Sequence, residues 1–420
     1  MNAITAKSEF LDTLSKRGFI HQISNLDGLD TKLSAGQPVA GYIGFDATAS
    51  SLHVGSLVQI MMLRILQQSG HKPIVLLGGG TTLLGDPSGK DEQRQLLSRE
   101  KINENAEGIR GVLSRFLRFG DGATDAVMVN NADWLCDLNM MDFLRDHGRL
   151  FSVNRMLSFD SVRLRLEREQ PLSFLEFNYM VMQAYDYLKL HRNHGCVLQM
   201  GGSDQWGNII SGIDLIRRTE SAESFAITTP LLTTASGTKM GKTADGAVWL
   251  SADKLSVYDF WQFWRNTADA DVGRFLRLFT DMPLSEIARL ETLDGAEINE
   301  AKTILANAVT TICHNEQEAK SAAATALKTF AGGAGEDLPR FEVSFQTLSD
   351  NGLGVIDALR GLEFVRSGGE ARNKIADGAV KLGENTVTDA NYRIQHSDFA
   401  EKNSLKISLG RKKHGLIVLA

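Results

Sequence analysis

Apolar and polar positions along the first half of this chain follow two periods in turn. Short runs in which nearly every position is apolar, at Val39 to Gly44, Ile74 to Leu77, Ala126 to Val129 and Cys196 to Met200, have the length of strands. Between them lie helical stretches such as Leu57 to Gln68. Strands without a polar face that alternate with helices predict a parallel sheet covered on both sides, an α/β, doubly wound, Rossmann-like domain over residues 1–230. From Asn131 to Gln170 the pattern changes to two helical stretches carrying Trp134, Leu135, Met140, Met141, Phe143, Leu144, Phe151 and Met156. So much Met and aromatic surface on an insertion fits either ordinary core or a subunit interface.

Residues 231–257 read as a linking segment, after which Tyr258, Phe260, Trp261, Phe263 and Trp264 open an α-helical region, 258–330. Their rings fall on different helical faces, so they predict core and not a stacking platform. The run from Ala331 to Pro339 interrupts every periodicity, and 331–352 reads as a linker. The remainder, 353–420, reads as a small α+β module. In it Gly368 to Gly378 predicts a helix bearing Arg372 and Lys374, Val380 to Val387 a hairpin turning at Gly383-Glu384-Asn385, and Arg411, Lys412 and Lys413 precede a last strand.

Composition sharpens this picture. With 420 residues, 43% of them hydrophobic and 23% charged, the chain exceeds one core and predicts several folded domains without membrane segments. A cytoplasmic protein is the expectation. Cys136, Cys196 and Cys313 lack any CxxC spacing, which argues against a disulfide framework and a zinc site, so no protein-bound metal is expected. The net charge is −6, but residues 353–420 carry 11 Lys+Arg against 8 Asp+Glu, leaving −9 elsewhere. The C-terminal module alone is basic, as an RNA-binding unit or merely a solvated surface would be.

Two remote segments carry candidate phosphate chemistry. Ser51-Leu52-His53-Val54-Gly55-Ser56 lies where a strand hands over to a helix, the end at which unpaired N–H groups and partial positive charge collect. His53 and Ser56 supply donors there, and Gly55 lets a ligand approach the backbone. Thr238-Lys239-Met240-Gly241-Lys242-Thr243 is a Gly-flanked loop with two lysines, suited to closing over a leaving pyrophosphate. Better-known phosphate loops are absent: Gly85-Asp86-Pro87-Ser88-Gly89-Lys90-Asp91 lacks Walker spacing, and Gly78-Gly79-Gly80 lacks the last glycine of a dinucleotide fingerprint.

A helix over Phe177 to Leu190 places Tyr179, Gln183 and Asp186 on one face, among Met180, Val181, Met182 and Leu188. A polar stripe on an apolar helix either faces water or lines a polar cavity. In Gly41-Tyr42-Ile43-Gly44-Phe45-Asp46, strand alternation puts Tyr42 and Gly44 on one side, a phenol beside an empty space.

In this order the segments resemble the HIGH and KMSKS motifs of class I aminoacyl-tRNA synthetases, departing from HIGH at Ser56 and from KMSKS at Gly241 and Thr243. Together with Thr48, Asp86 and Gly201-Gly202-Ser203-Asp204-Gln205-Trp206-Gly207, the chain resembles a bacterial tyrosyl-tRNA synthetase over essentially its whole length. That resemblance implies tyrosine–tRNA ligation with L-tyrosine, ATP with Mg²⁺, and tRNA(Tyr) as partners. It implies Tyr42 and Asp186 on the substrate's phenolic hydroxyl, and Asp86, Tyr179 and Gln183 on its ammonium. Gly44, Asp46, Gly202, Asp204 and Gln205 would surround the amino acid and ribose, Gly55 and Ser56 the ATP phosphates, and His53, Thr48, Lys239, Lys242 and Thr243 the reacting phosphates. The insertion would form the interface of a homodimer. The C-terminal module resembles the small S-four-like RNA-binding domain, with Arg372, Lys374, Arg411, Lys412 and Lys413 as its RNA contacts. A tryptophan-specific synthetase, an inactive RNA-binding relative and a small-metabolite adenylyltransferase are the competing readings.

Overall fold

In the computed structural model, residues 4–84, 97–235, 237, 240–243, 246–330, 338–350, 352–383, 385–399, 403–410 and 413–419 are described. Backbone contacts group the chain into two units, Met1–Leu255 with Asn266–Leu305, and Ser256–Arg265 with Ala306–Ala420.

The first unit is built on a six-stranded sheet: β1 (Gln22–Ile23), β2 (Ala40–Phe45), β3 (Lys72–Leu77), β4 (Val127–Asn130), β5 (Cys196–Gly202) and β6 (Phe225–Thr229), in the order β1-β6-β5-β2-β3-β4. All neighbours are parallel except the edge pair β1 and β6. The anticipated strands are all present, and β1 and β6 add two that apolar runs did not mark; β6 is the longer of them. Its Phe-Ala-Ile-Thr-Thr sequence is buried at every position because β5 and β1 flank it. Since β2, β3 and β4 follow one another outward while β5 and β6 run to the other side, strand order reverses between β2 and β5. In open α/β sheets such a switch point is where a crevice forms beyond the strands' carboxyl ends.

The helix read as Phe177 to Leu190 runs from Phe174 to His194. Ser173 and Glu176 form a reciprocal capping box at its start, and Gly195, at φ +61°, ends it in a left-handed turn. Its inner face packs Ala184, Tyr187 and Leu188 against Tyr42, Ile74 and Leu215. The insertion holds four α-helices where two stretches were anticipated, Ala132–Leu135, Met140–Asp146, Val153–Ser158 and Asp160–Glu167. Asn139 starts the second by accepting the N–H groups of Met141 and Asp142, a cap that breaks what periodicity alone joins.

In the second unit, helix Val257–Arg265 sends Phe260 against Trp264 and His314, and Trp261 Nε1 donates to Asn307 Oδ1 at 2.7 Å. These rings are core, as their scatter over helical faces predicted. The helical stretch 258–330 nevertheless does not form one body, since Asn266–Leu305 groups with the sheet. Residues 331–337 lie outside the described residues. The stretch read as linker is structured beyond them: Arg340–Val343 pairs in parallel with the last strand, Lys413–Leu419, and Phe345–Asp350 is helical. A core of Val355, Leu359, Ile375, Val380, Ile394, Ile407 and Ile417 closes the C-terminal module, with the anticipated helix at Gly368–Ala376 and hairpin Val380–Leu382 to Asn385–Val387.

Candidate active site

Strands β2 and β5 stay paired only as far as Tyr42 opposite Gln199. Beyond that, β2 keeps to β3 as far as Phe45 and β5 keeps to β6 as far as Gly202, so the two strands part. A cavity of about 420 Å³ opens in the gap. Thirteen residues singled out from sequence line it: Tyr42, Gly44, Asp46, Thr48, His53, Gly55, Ser56, Tyr179, Gln183, Asp186, Gly202, Asp204 and Gln205. Gly44 leaves the space open, since a Cβ built there meets nothing within 4 Å.

At one end sits Asp186, 2% exposed. Asn131 Nδ2 donates to its Oδ2 at 3.0 Å and Trp134 Nε1 to its Oδ1 at 2.7 Å. Burial raises its pKa from 3.8 to about 7, and those two donors oppose the rise without cancelling it. The Tyr42 hydroxyl is buried without a hydrogen-bond partner, and burial together with the Asp186 charge pushes its pKa well above the usual phenol value. The Gln199 Oε1, also lining the cavity, is a second buried atom without a partner. Buried orphans aimed at a cavity are the mark of a site waiting for a polar ligand group. Asn131 and Gln199 were not anticipated, and Trp134 was read only as part of the insertion's apolar surface; Gln199 alone carried a sequence signal, a polar residue within an apolar run.

Along the wall, Asn208 Nδ2 donates to Gln183 Oε1 at 3.0 Å and to Gln205 Oε1 at 3.3 Å, fixing two amides that belong to different elements. Each amide oxygen retains a second lone pair, and Tyr179 and Asp204 add further polar groups beside them. The glycine run after β3 makes room at the same rim. A Cβ on Gly79 would collide with the Asn130 side chain at 2.2 Å, and one on Gly78 would sit 3.0 Å from an Asp46 oxygen.

At the other end, the two remote segments meet. His53 precedes a short turn, Val54–Ser56, leading into helix Leu57–Gln68, and the Gly55 N–H donates to His53 Nδ1 at 2.9 Å. With Nδ1 accepting, the neutral ring carries its hydrogen on Nε2. Gly241, at φ +99°, lies so close that a Cβ there would stand 2.7 Å from the Gly55 nitrogen. The connection is continued by Val54 N–H to the Val248 carbonyl, 2.8 Å, and by Leu250 N–H to the Leu52 carbonyl, 2.9 Å. Lys242 and Thr243 form the first strand of a two-residue pair with Gly246–Ala247. Asp86 and Lys239 lie outside the described residues.

In the C-terminal module, Arg372 and Lys374 are exposed on helix Gly368–Ala376. Lys413 is half-buried and its amine donates to the Phe364 carbonyl at 3.1 Å, so it is engaged within the fold. Arg411 and Lys412 lie outside the described residues.

Comparison with known proteins adds an independent line. The family model described as tRNA synthetases class I (W and Y) matches residues 34–331. The tyrosine–tRNA ligase of Rhodospirillum rubrum is 59% identical over 412 residues, covering 98% of each chain, and that of Caulobacter vibrioides is 58% identical over 416 residues, covering 99% of each. Among solved structures, a C-terminally truncated mitochondrial tyrosyl-tRNA synthetase of Aspergillus nidulans matches with a TM-score of 0.68 at 30% identity, over 77% of this chain and 94% of that one. A tryptophanyl-tRNA synthetase of Aeropyrum pernix K1 shares the fold alone, at a TM-score of 0.54 and 15% identity, over 75% of this chain and 88% of that one. Fold thus places the chain among synthetases of both specificities, while identity along nearly its full length decides between them: the chain belongs to the tyrosyl-tRNA synthetase family of class I synthetases.

Proposed function

We propose that this chain is a tyrosine–tRNA ligase whose cleft binds the tyrosine ring at the Asp186 end and the ATP phosphates at the His53 end. The observation that carries the reading is the buried Asp186 carboxylate beside the unpartnered Tyr42 hydroxyl, a donor–acceptor pair matched to a phenol. Tyrosine's carboxylate attacks the α-phosphorus of ATP, forming the mixed anhydride and expelling pyrophosphate. The tyrosyl group then passes to a hydroxyl of the terminal ribose of tRNA(Tyr), and AMP leaves. The first step needs no general base, because a carboxylate is ionised at neutral pH. Catalysis is therefore placement plus stabilisation of charge on the phosphates.

Tyr179, Gln183 and Asp86 receive the ammonium group in this reading, and Asp204 a ribose hydroxyl, with Gly44, Asp46, Gly202 and Gln205 around them. Thr48, His53, Gly55 and Ser56 face the phosphates from the helix N-terminus, and Lys239, Lys242 and Thr243 from the loop. Mg²⁺ would enter as part of the ATP substrate and offset part of the phosphates' negative charge. Amino-acid-dependent pyrophosphate exchange tests the reading: exchange with tyrosine and not with tryptophan is expected, and the reverse preference overturns it.

The raised pKa of Asp186 sets a pH dependence. Because folding lifts it from 3.8 to about 7, the native state keeps this proton across that window while the unfolded chain loses it. Its contribution to stability accordingly declines as pH rises through the window and is level above it. Tyrosine, whose hydroxyl needs an ionised acceptor, is expected to bind more weakly as pH falls below about 7. Equilibrium dialysis across pH 6 to 8.5, roughly the span that brackets this titration, checks this, and the dependence should vanish in Asp186→Asn.

Exposed apolar side chains on the insertion, including Met140, Leu144, Val153 and Met141, the last 74% exposed, support a homodimer in which a second copy covers them. No described helix is long and apolar enough to cross a membrane, and a cytoplasmic location completes the proposal. The basic C-terminal module, through Arg372, Lys374, Arg411 and Lys412, is assigned to tRNA, Lys413 serving mainly to hold the fold. Removing residues 338–420 is expected to spare tyrosyl-adenylate formation and impair aminoacylation; full charging by the shortened chain overturns that division.

A further inference from the structure

The lysine loop is tied down at a place remote from the phosphates. Thr233–Ala235, the stem entering it, runs past the first turn of helix Asp269–Phe279. Asp271, only 3% exposed, accepts the Ala235 N–H on Oδ2 at 2.8 Å and an Arg274 Nη2 hydrogen on Oδ1 at 2.9 Å. The same Arg274 nitrogen donates to the Thr233 carbonyl. A buried carboxylate and a guanidinium thus hold the backbone two residues apart by one donor and one acceptor. Such a pair fixes register as well as position, because sliding the stem by one residue breaks both bonds. The stem is mechanically continuous with the cleft. Leu231 and Leu232, just before it, and Met240, later in the same segment, line the cavity, and the Met240 N–H donates back to the Leu232 carbonyl at 3.0 Å. Gly241 then meets Gly55.

We propose that Asp271 and Arg274 are positioning residues for the lysine loop: they anchor its stem so that the cationic side chains beyond reach the pyrophosphate of ATP. The inference rests on the assignment of that loop to the phosphates. Neither residue touches substrate, and their effect passes through the loop alone. The alternative is that Asp271 merely stabilises the start of its own helix, where an acidic group is favoured whatever the loop does.

Single-turnover tyrosyl-adenylate formation by the full-length protein separates the two, with tyrosine affinity measured by equilibrium dialysis. The variants are Asp271→Asn, Arg274→Gln, Lys242→Ala and the double variant Asp271→Asn/Lys242→Ala. Asp271→Asn is expected to slow activation about 10- to 10²-fold, the scale of a misplacement of about 1 Å, with tyrosine affinity changed less than about 2-fold. Arg274→Gln, at a partly exposed residue and so tolerable to folding, should move the same way. In the Lys242→Ala background the Asp271→Asn loss should largely disappear, since the group it positions is gone. The proposal is overturned if the two losses multiply, if tyrosine affinity falls in parallel, or if both single variants activate tyrosine at the wild-type rate while Lys242→Ala is slow. If Lys242→Ala itself is unimpaired, the assignment of the loop to the phosphates falls, and this proposal with it.

Discussion

Asp186→Asn is expected to lower kcat/KM for tyrosine about 10²- to 10³-fold and to leave phenylalanine nearly as poor a substrate as before, collapsing the selectivity between them. The size follows from three partners. Asn131 and Trp134 each aim a donor at one carboxylate oxygen, and in the proposed reading tyrosine's hydroxyl supplies a third. An amide offers one oxygen, so its NH₂ group must confront one of the two protein donors, and the charge-assisted bond to the phenol is lost. A buried donor left unsatisfied costs about 1–3 kcal/mol and a bond to a charged acceptor is worth about 1.5–3 kcal/mol, a sum of ~4 kcal/mol at the middle of those ranges, which corresponds to the upper end of the expected loss. The near-isosteric swap removes no volume, so cavity formation does not complicate it. Tyrosine- and phenylalanine-dependent pyrophosphate exchange at about pH 8.5, where a carboxylate titrating at about 7 is almost fully ionised, measures the change. Retained selectivity takes Asp186 out of the hydroxyl subsite.

The legibility of this site in the sequence divides along the range of the interactions. Tyr179, Gln183 and Asp186 were visible because helical spacing alone stacks them, and Tyr42 with Gly44 because strand alternation does. Asn131 and Trp134 were invisible as partners of Asp186. They arrive from the start of the insertion, 55 and 52 residues earlier, and no period connects them to the helix that carries it. Asn208 was missed for a related reason, since bridging Gln183 and Gln205 is a property of how two helices cross at the cleft.

Similar limits governed the fold. Local pattern marked the strands that flank the cleft, but strand Arg340–Val343 lies in what reads as linker, because its partner is the last strand of the chain. Lys413 counts toward a basic cluster in sequence, yet its amine is spent on a carbonyl of its own module. Charge can be counted along a chain; where it points is decided by packing.

Lys242→Ala is expected to slow tyrosine activation about 10²- to 10³-fold while tyrosine affinity stays within about 2-fold of wild type. The split follows from geography. In the proposed reading the ring's hydroxyl binds at the Asp186 end, whereas Gly241, the residue before Lys242, packs on the Gly55 backbone in the other part of the cleft. Because the attacking carboxylate is already ionised, proton transfer offers no rate advantage there, and the negative charge passing onto pyrophosphate is the principal change for the protein to stabilise. A lysine ammonium meeting that charge acts in the transition state more than in the ground state, so its loss appears in the rate and not in tyrosine binding. Presteady-state adenylate formation at saturating tyrosine, compared with equilibrium binding of tyrosine alone, reads the two quantities separately. Equal losses in both would place Lys242 in the amino-acid pocket and return the phosphates to the His53 segment alone.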